Sequence, residues 1–139
     1  MTVAAHLFLL LDEDRILLLR KYNTGYEDGK YSVIAGHLDG DEEIVSAMIR
    51  EAQEETGIVI APQDLEMVGV MHRKSEEERI DFFLSARSWF GEIENMEPDK
   101  CDQLAWFRLD ELPYTVIPYV ERAIDNYRNE TWFDSFGWP

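Results

Sequence analysis

Two apolar runs open the chain. Residues 3–11 (VAAHLFLLL) and 15–20 (RILLLR) are separated by Asp12, Glu13 and Asp14. Three polar residues between such runs predict a hairpin with both strands largely buried. A continuous helix fits less well, because the acidic break would fall in its middle. His6 lies inside the first run and reads as a packed core residue. Residues 21–32 (KYNTGYEDGKYS) are rich in turn formers and predict a loop. That loop is either a flap whose tyrosines or basic residues touch a substrate or a plain surface connection. Val33, Ile34 and Ala35 then lead to Gly36.

A helix is predicted over about residues 41–56. Asp41 is placed as N-cap, Glu42 and Glu43 favour the positive end of the helix dipole, and Gly57 is a natural stop. Ile44, Ala47 and Met48 share one side, while Val45, Ile49 and Ala52 form a second apolar stripe. Two stripes predict cover on more than one side. Residues 65–73 and 80–87 read as strands joined by the charged turn Lys74 to Arg79. Trp89 to Lys100 reads as acidic loop, residues 104–107 as a strand, and Asp110 to Leu112 as a turn ended by Pro113. Val116, Val120, Ile124 and Tyr127 recur at helical spacing, predicting a helix over 116–128 with Pro118 in its first turn. The aromatic tail NETWFDSFGWP packs on the body or makes a dimer contact.

Composition narrows the class. A chain of 139 residues with 45% hydrophobic content supports one folded domain. Against 13 basic residues stand 29 acidic ones, a formal charge of -16. That surface repels nucleic-acid backbone and anionic membrane, so neither a nucleic acid polymer nor a membrane is expected as partner. A small polyanion remains compatible if metal cations neutralise its pocket. The single cysteine, Cys101, precludes an internal disulfide and fits a reducing, cytoplasmic location. The first apolar run stops at Asp12, too short to span a membrane.

The chemistry concentrates in the long helix. Glu51, Glu54 and Glu55 are spaced i, i+3 and i+4 and share a face. That face continues the one occupied by Ile44, Ala47 and Met48, so it changes from apolar to triply acidic. The carboxylates repel one another and sit where the dipole disfavours negative charge, each term being about 0.3–1 kcal/mol. Arg50 can pair with Glu54, but one cation does not balance three anions. A solvated outer face would carry such costs. The glycine-containing turn before the helix favours another reading, because its carbonyls can join the carboxylates around a cation. Oxygen-only ligands select magnesium or manganese over zinc, and such cations are the usual device for displacement at phosphorus.

These residues also resemble a known motif. Gly36 to Ile58 looks like the Nudix box: Gly, five residues, Glu, seven residues, Arg-Glu-hydrophobic-x-Glu-Glu-x-Gly-hydrophobic. Gly36, Glu42, Arg50, Glu51, Glu54, Glu55, Gly57 and Ile58 match, with Ala52 in the hydrophobic slot. Leu104 to Leu112 resembles the tryptophan-containing strand and turn of MutT-like members. Ala35 and His37 depart from the consecutive glycines that many such members carry there. The resemblance implies an α/β fold, an α/β/α sandwich with a central mixed β-sheet, as a single Nudix hydrolase domain over residues 1–139. It implies magnesium- or manganese-dependent hydrolysis of a nucleoside diphosphate linked to another moiety. Glu51, Glu54 and Glu55 would be metal ligands, with Glu51 the candidate base, Arg50 the orienting arginine and Glu42 a supporting acid. A carbonyl at the box start, Ala35 or Gly36, would join them. Of the later acids Glu97, Asp99 and Asp102, Asp102 completes the expected ligand set with Gly36.

The short chain and MutT-like tail favour a nucleoside triphosphate cut to monophosphate and pyrophosphate. Arg20, Lys21 and Arg79 are candidate phosphate or base contacts, and Tyr22, Phe83 and Trp106 could stack on a base. For Phe83 and Trp106 the competing reading is core packing. The partner expected is a small-molecule nucleotide, with a homodimer possible from the aromatic tail. The box reads the diphosphate alone, so ADP-ribose, a nucleotide sugar or a dinucleotide polyphosphate are alternatives. A non-catalytic nucleotide-sensing module is a further one.

Overall fold

The computed structural model describes residues 1–139. The opening hairpin forms as the apolar runs predict, with β1 (Thr2–Leu11) and β2 (Arg15–Lys21) antiparallel through Leu10 opposite Ile16. Both strands are covered on both faces. Ala5, Leu7, Leu9, Leu17 and Leu19 enter one core. Phe8, Leu10, Ile16 and Leu18 enter a second. Alternate side chains point to opposite faces of a strand, so a continuous apolar run signals a strand between two layers.

Strands β3 (Tyr31–Ser32) and β4 (Ile34–His37) follow the loop. β4 pairs antiparallel with β1, placing Gly36 opposite Ala5. The other edge of β1 pairs in parallel with β6 (Glu78–Ala86), which is antiparallel to β5 (Leu65–Lys74). β7 (Cys101–Arg108) lies beside β2, and β8 (Phe133–Phe136) runs parallel to β5 at the sheet edge. The sheet is therefore mixed. Helix α1 (Ile44–Thr56) covers one face through Met48 and Ala52. Helix α2 (Pro118–Arg128) covers the other through Val120, Ala123 and Ile124. This is the α/β/α sandwich, and no helix is long and apolar enough to cross a membrane.

Several details differ from expectation. Helix α1 starts at Ile44, and its N-cap is Glu43, not Asp41. Asp41 has φ +62°, outside helical geometry. The Glu43 carboxylate instead accepts from the amides of Val45 and Ser46 at 3.1 and 2.7 Å. The fully buried stripe is Ala47, Met48, Ala52 and Thr56, while Val45 and Ile49 stay half-exposed. One flank of α1 meets the sheet, so the second stripe is not covered as the first is. The two-residue β3 falls in the segment read as loop. Its Tyr31 amide bonds to Thr115 O, and Ile117 N–H returns to Tyr31 O, tying the start of α2 to the sheet. The aromatic tail packs on the body as β8, and Trp138 Nε1 donates to His72 O at 2.9 Å. Trp132 and Phe133 remain exposed.

The difference between the stripes is measurable. Met48→Ala should cost about 2–5 kcal/mol, because Met48 has no exposed surface. Ile49→Ala should cost about 1 kcal/mol. Urea unfolding of the two variants checks this, and equal losses would contradict the one-sided packing of α1.

Candidate active site

The acidic face of α1 is turned toward the end of β4. The side chain of Glu51 is 13% exposed and that of Glu54 is 53% exposed, so the three carboxylates are not equivalent. Glu55 Oε2 is buried with no hydrogen-bond partner. Burial pushes the Glu55 acid well above the ordinary glutamate value, and the neighbouring Glu51 and Glu97 push it further. Burial also raises Glu51, an effect partly offset by its hydrogen-bonded neighbours Glu55 and Arg50. An unsatisfied buried carboxylate oxygen beside a second carboxylate is costly unless a proton or a cation joins it.

Backbone geometry builds this crowding. A Cβ placed on Gly36 would fall within the Glu51 carboxylate. Glycine at this position therefore lets α1 approach β4 and sets the Glu51 acid against the strand backbone. At the far end of α1, Gly57 adopts φ +78° and its amide closes on Gln53 O at 2.9 Å. The amides of Glu94 and Met96 bond to Thr56 O and Glu55 O, satisfying carbonyls that the helix end leaves open. The same loop brings Glu97 to the acidic face. Glu51, Glu54, Glu55 and Glu97 together line a cavity of about 340 Å³ with Lys21, Lys100 and Ala35.

Arg50 is the counterweight. Its Nε and Nη2 donate to the two carboxylate oxygens of Glu42 at 2.7 and 2.9 Å. Its Nη1 donates to Glu51 at 2.8 Å and to Glu54 at 3.3 Å, and Nη2 reaches His37 O at 3.3 Å. The hydrogen bonds from Arg50 hold the Glu42 acid below its ordinary value. The expected pairing with Glu54 is thus one of the longer contacts of a wider fork. Its principal partner is Glu42, eight residues away and ahead of the helix.

The donor set suits a hard divalent cation: every candidate is an oxygen, one buried oxygen lacks a partner, and the glycine backbone is adjacent. No three acid, imidazole or thiol groups are gathered closely enough around one point to chelate an ion in this arrangement. Arg50 draws Glu51 and Glu54 toward itself instead.

Other expected site residues fall differently. Asp102 accepts from Arg20 Nε at 2.7 Å and lies outside the acidic cavity, so Arg20 and Asp102 occupy each other. Glu97 stands where Asp102 was expected. Phe83 is buried in the second core, stacked on His6 at 4.7 Å and packed against Phe8. Core packing is therefore its role, not contact with a base. Trp106 stacks on Trp89, and Tyr22 is exposed. Lys21 lines the acidic cavity and also a larger one of about 590 Å³, and Arg79 lines the larger one. This cavity shares Leu19, Ala35 and Glu55 with the acidic one and extends to His6, Arg73, Asp81 and Tyr119. Its polar floor was not anticipated. Parity could have found it: Arg73 and Asp81 share strand faces with Met71 and Phe83, which predicts charges pointing inward.

With this geometry in view, the comparisons with known proteins are decisive. The model of the NUDIX domain matches residues 1–128. The chain belongs to the Nudix family. Among solved structures, a MutT NUDIX hydrolase from Burkholderia pseudomallei is 26% identical with a TM-score of 0.81. The alignment covers 89% of this chain and 95% of that one. A MutT protein from Methanosarcina mazei Go1 shares the fold at a TM-score of 0.78 and 18% identity, over 93% and 94% of the two chains. A curated relative, the NAD-capped RNA hydrolase NudC of Pseudomonas aeruginosa, is 32% identical over 100 residues. That match takes in 72% of this chain, which spans about a third (34%) of the relative's length.

The buried acid gives a pH-dependent signature. A carboxylate raised in the folded state supports folding below its ordinary value of 4.5 and loses that support as pH rises through the folded value. In chelator, Glu55→Gln should be more stable than the parent protein, and its advantage should grow as pH rises from 4.5 toward neutrality. Thermal melts across that range check the sign, and a constant difference would contradict the burial of an unsatisfied acid.

Proposed function

We propose that this Nudix enzyme hydrolyses a nucleoside triphosphate to the monophosphate and pyrophosphate with magnesium or manganese. The observation that supports this best is the continuity of the two cavities. The acid-lined cavity and the larger one meet at Leu19, Lys21, Ala35 and Glu55. A nucleotide can therefore lay its phosphates beside the carboxylates and extend its base into the larger space.

Glu51, Glu54 and Glu55 would hold the divalent ions, with the Gly36 or Ala35 carbonyl and Glu97 in support. Bound there, the ions would neutralise phosphate oxygens and lower the pKa of water. The remaining chemistry falls to the chain. Water adds to phosphorus, the bridging P–O bond between the α and β phosphates breaks, and the displaced oxygen leaves with its phosphate. The water proton passes to a box carboxylate, for which Glu51 is the candidate base. Arg50 orients Glu51 while Glu42 anchors Arg50. Lys21 serves the phosphates from the junction of the cavities, and Arg79 stands in the larger cavity, beyond the acidic one. Arg20 is set aside by its pairing with Asp102.

A dinucleotide substrate is the second reading, favoured by the 32% identity to the NAD-capped RNA hydrolase. ADP-ribose, nucleotide sugars and dinucleotide polyphosphates belong with it. The charge of -16 disfavours a long RNA body but does not bear on a small nucleotide. The buried free thiol of Cys101 accords with a reducing cytoplasm.

The test is product analysis by phosphorus NMR with nucleoside triphosphates, nucleotide sugars and dinucleotides. Triphosphates should yield monophosphate and pyrophosphate, with turnover lost after chelation. Glu54→Gln should lower kcat by at least about 100-fold while leaving the melting curve intact. Release of orthophosphate, full turnover in chelator, or a normal rate in that variant would defeat the proposal.

A further inference from the structure

His37 departs from the consecutive glycines of many MutT-like members, and the hydrolytic chemistry gives its ring no task. It closes β4 opposite Ala4 of β1, and Ala4 in turn lies opposite Asp81 of β6. Residues paired across a sheet share a face, and so do residues two apart on one strand. His37, Ala4, Asp81 and Arg79 therefore project to one side, and all four line the larger cavity. The small side chain of Ala4 lets the longer ones meet above it. Arg79 Nη2 donates to His37 Nε2 at 3.0 Å. The accepting nitrogen carries no proton, so the ring is neutral with its proton on Nδ1. The carbonyl of the same residue accepts from Arg50 Nη2 at 3.3 Å. His37 thus touches the orienting arginine of the box through its backbone and the arginine of the cavity through its ring.

This bond does not satisfy Arg79. Most arginines of the chain donate to a carboxylate, as Arg20, Arg50 and Arg73 do. The side chain of Arg79 donates to the imidazole alone, and its Nε is buried without a hydrogen-bond partner. Glu77 Oε1 lies 3.5 Å from that Nε, long for a hydrogen bond, and accepts from Thr2 Oγ1. The other charges of the cavity leave room for an anion beside Arg79. Asp81 is matched by Arg73 at 2.7 Å. Glu76 is exposed and the Glu77 side chain is 54% exposed, so water and salt screen both. Burial lowers the His6 pKa to about 4, so His6 adds no charge at pH 7. Glu55 stands at the junction of the cavities, where Lys21 supplies a second cation.

Position says which part of a ligand would carry the anion. The Arg79 guanidinium reaches from β6 across β1 to β4, about 5 Å, one strand spacing, from the β4 backbone. Arg73 stands further on, on β5 beyond β6. A nucleotide with its phosphates beside Gly36 and its base in the depth of the cavity has its sugar at the level of Arg79.

We infer that Arg79, oriented by the ring of His37, binds a phosphate monoester on the ribose, so that the enzyme accepts nucleotides bearing a 2′- or 3′-phosphate in addition to the diphosphate it cleaves. This rests on the nucleotide hydrolase reading and extends it to a further substrate class. The planar set of N–H donors on arginine suits the oxygens of a phosphate. His37 is a positioning residue, because without its ring the guanidinium is free to swing onto Glu77.

The experiment measures binding, and none of its ligands has an anhydride to cleave. Adenosine 5′-monophosphate and adenosine 2′,5′- and 3′,5′-bisphosphate are titrated calorimetrically into the native protein at a fixed magnesium concentration. At least one bisphosphate should bind about ten-fold more tightly than the monophosphate. Arg79→Gln should bring that ratio to about one. His37→Leu should do the same, whereas His37→Gln keeps an acceptor for the guanidinium and should hold the ratio within about three-fold of the native one. Melting curves report whether the variants fold, and the comparison on the native protein tests the inference in either case. Equal affinities for all three ligands, absence of binding by all three, or a ratio that survives in folded Arg79→Gln would overturn the inference. A ratio unchanged in folded His37→Leu would overturn the role of His37. A ribose-phosphate preference without triphosphate hydrolysis would sink the hydrolase reading and leave this one standing. Hydrolysis with equal affinities would do the reverse.

Discussion

The structure turns on carboxylates held against a strand by a helix that must approach closely. Glu51 and Glu55 occupy the flank of α1 that Ala47, Met48 and Ala52 use to enter the core. Core packing therefore fixes the helix, and the fixed helix presses two acids toward β4. Gly36 permits the approach because a side chain there would collide with Glu51. Arg50 offsets part of the charge, but four carboxylates surround it and its best-formed bonds go to Glu42. What is left over is concentrated at Glu55, whose second oxygen has no partner.

The sandwich gives this local conflict its use. β1 is buried on both faces, and the two cavities join at residues of β2 and β4 together with Glu55 of α1. The acid-lined cavity belongs to the α1 side, and the larger one opens toward Tyr119 and Ile117 at the start of α2. The backbone bonds between Tyr31 and residues 115–117 hold that start in place. A ligand lying across both cavities would touch parts of the chain far apart in sequence, from Lys21 to Tyr119.

How much of this was legible in the sequence depended on the length of each signal. The doubly buried strands, both helices and the acidic face of α1 follow from long periodic patterns. The two-residue β3 and four-residue β8 do not, because tertiary pairing creates them where the local residues favour turns or exposed aromatics. The helix start was misplaced because an acid before a helix looks like a cap whether or not its backbone can be one, and Asp41 has a left-handed φ. The acids of residues 97–102 could not be ranked from sequence. Cys101 and Asp102 enter β7, where Asp102 meets Arg20, while Glu97 stays in the loop tied to the end of α1. Phe83 packs inside, while Arg73, which no sequence signal singled out, lies on the same side of the sheet and lines the cavity.

The most direct test of the account is a calorimetric titration of manganese into the protein and into Glu55→Gln without nucleotide. If the unsatisfied carboxylate is the seat of a divalent cation, the parent protein binds manganese and the variant binds at least about ten-fold more weakly. Equal affinities in the two proteins would contradict it, and would return the acidic face of α1 to the role of a solvated surface.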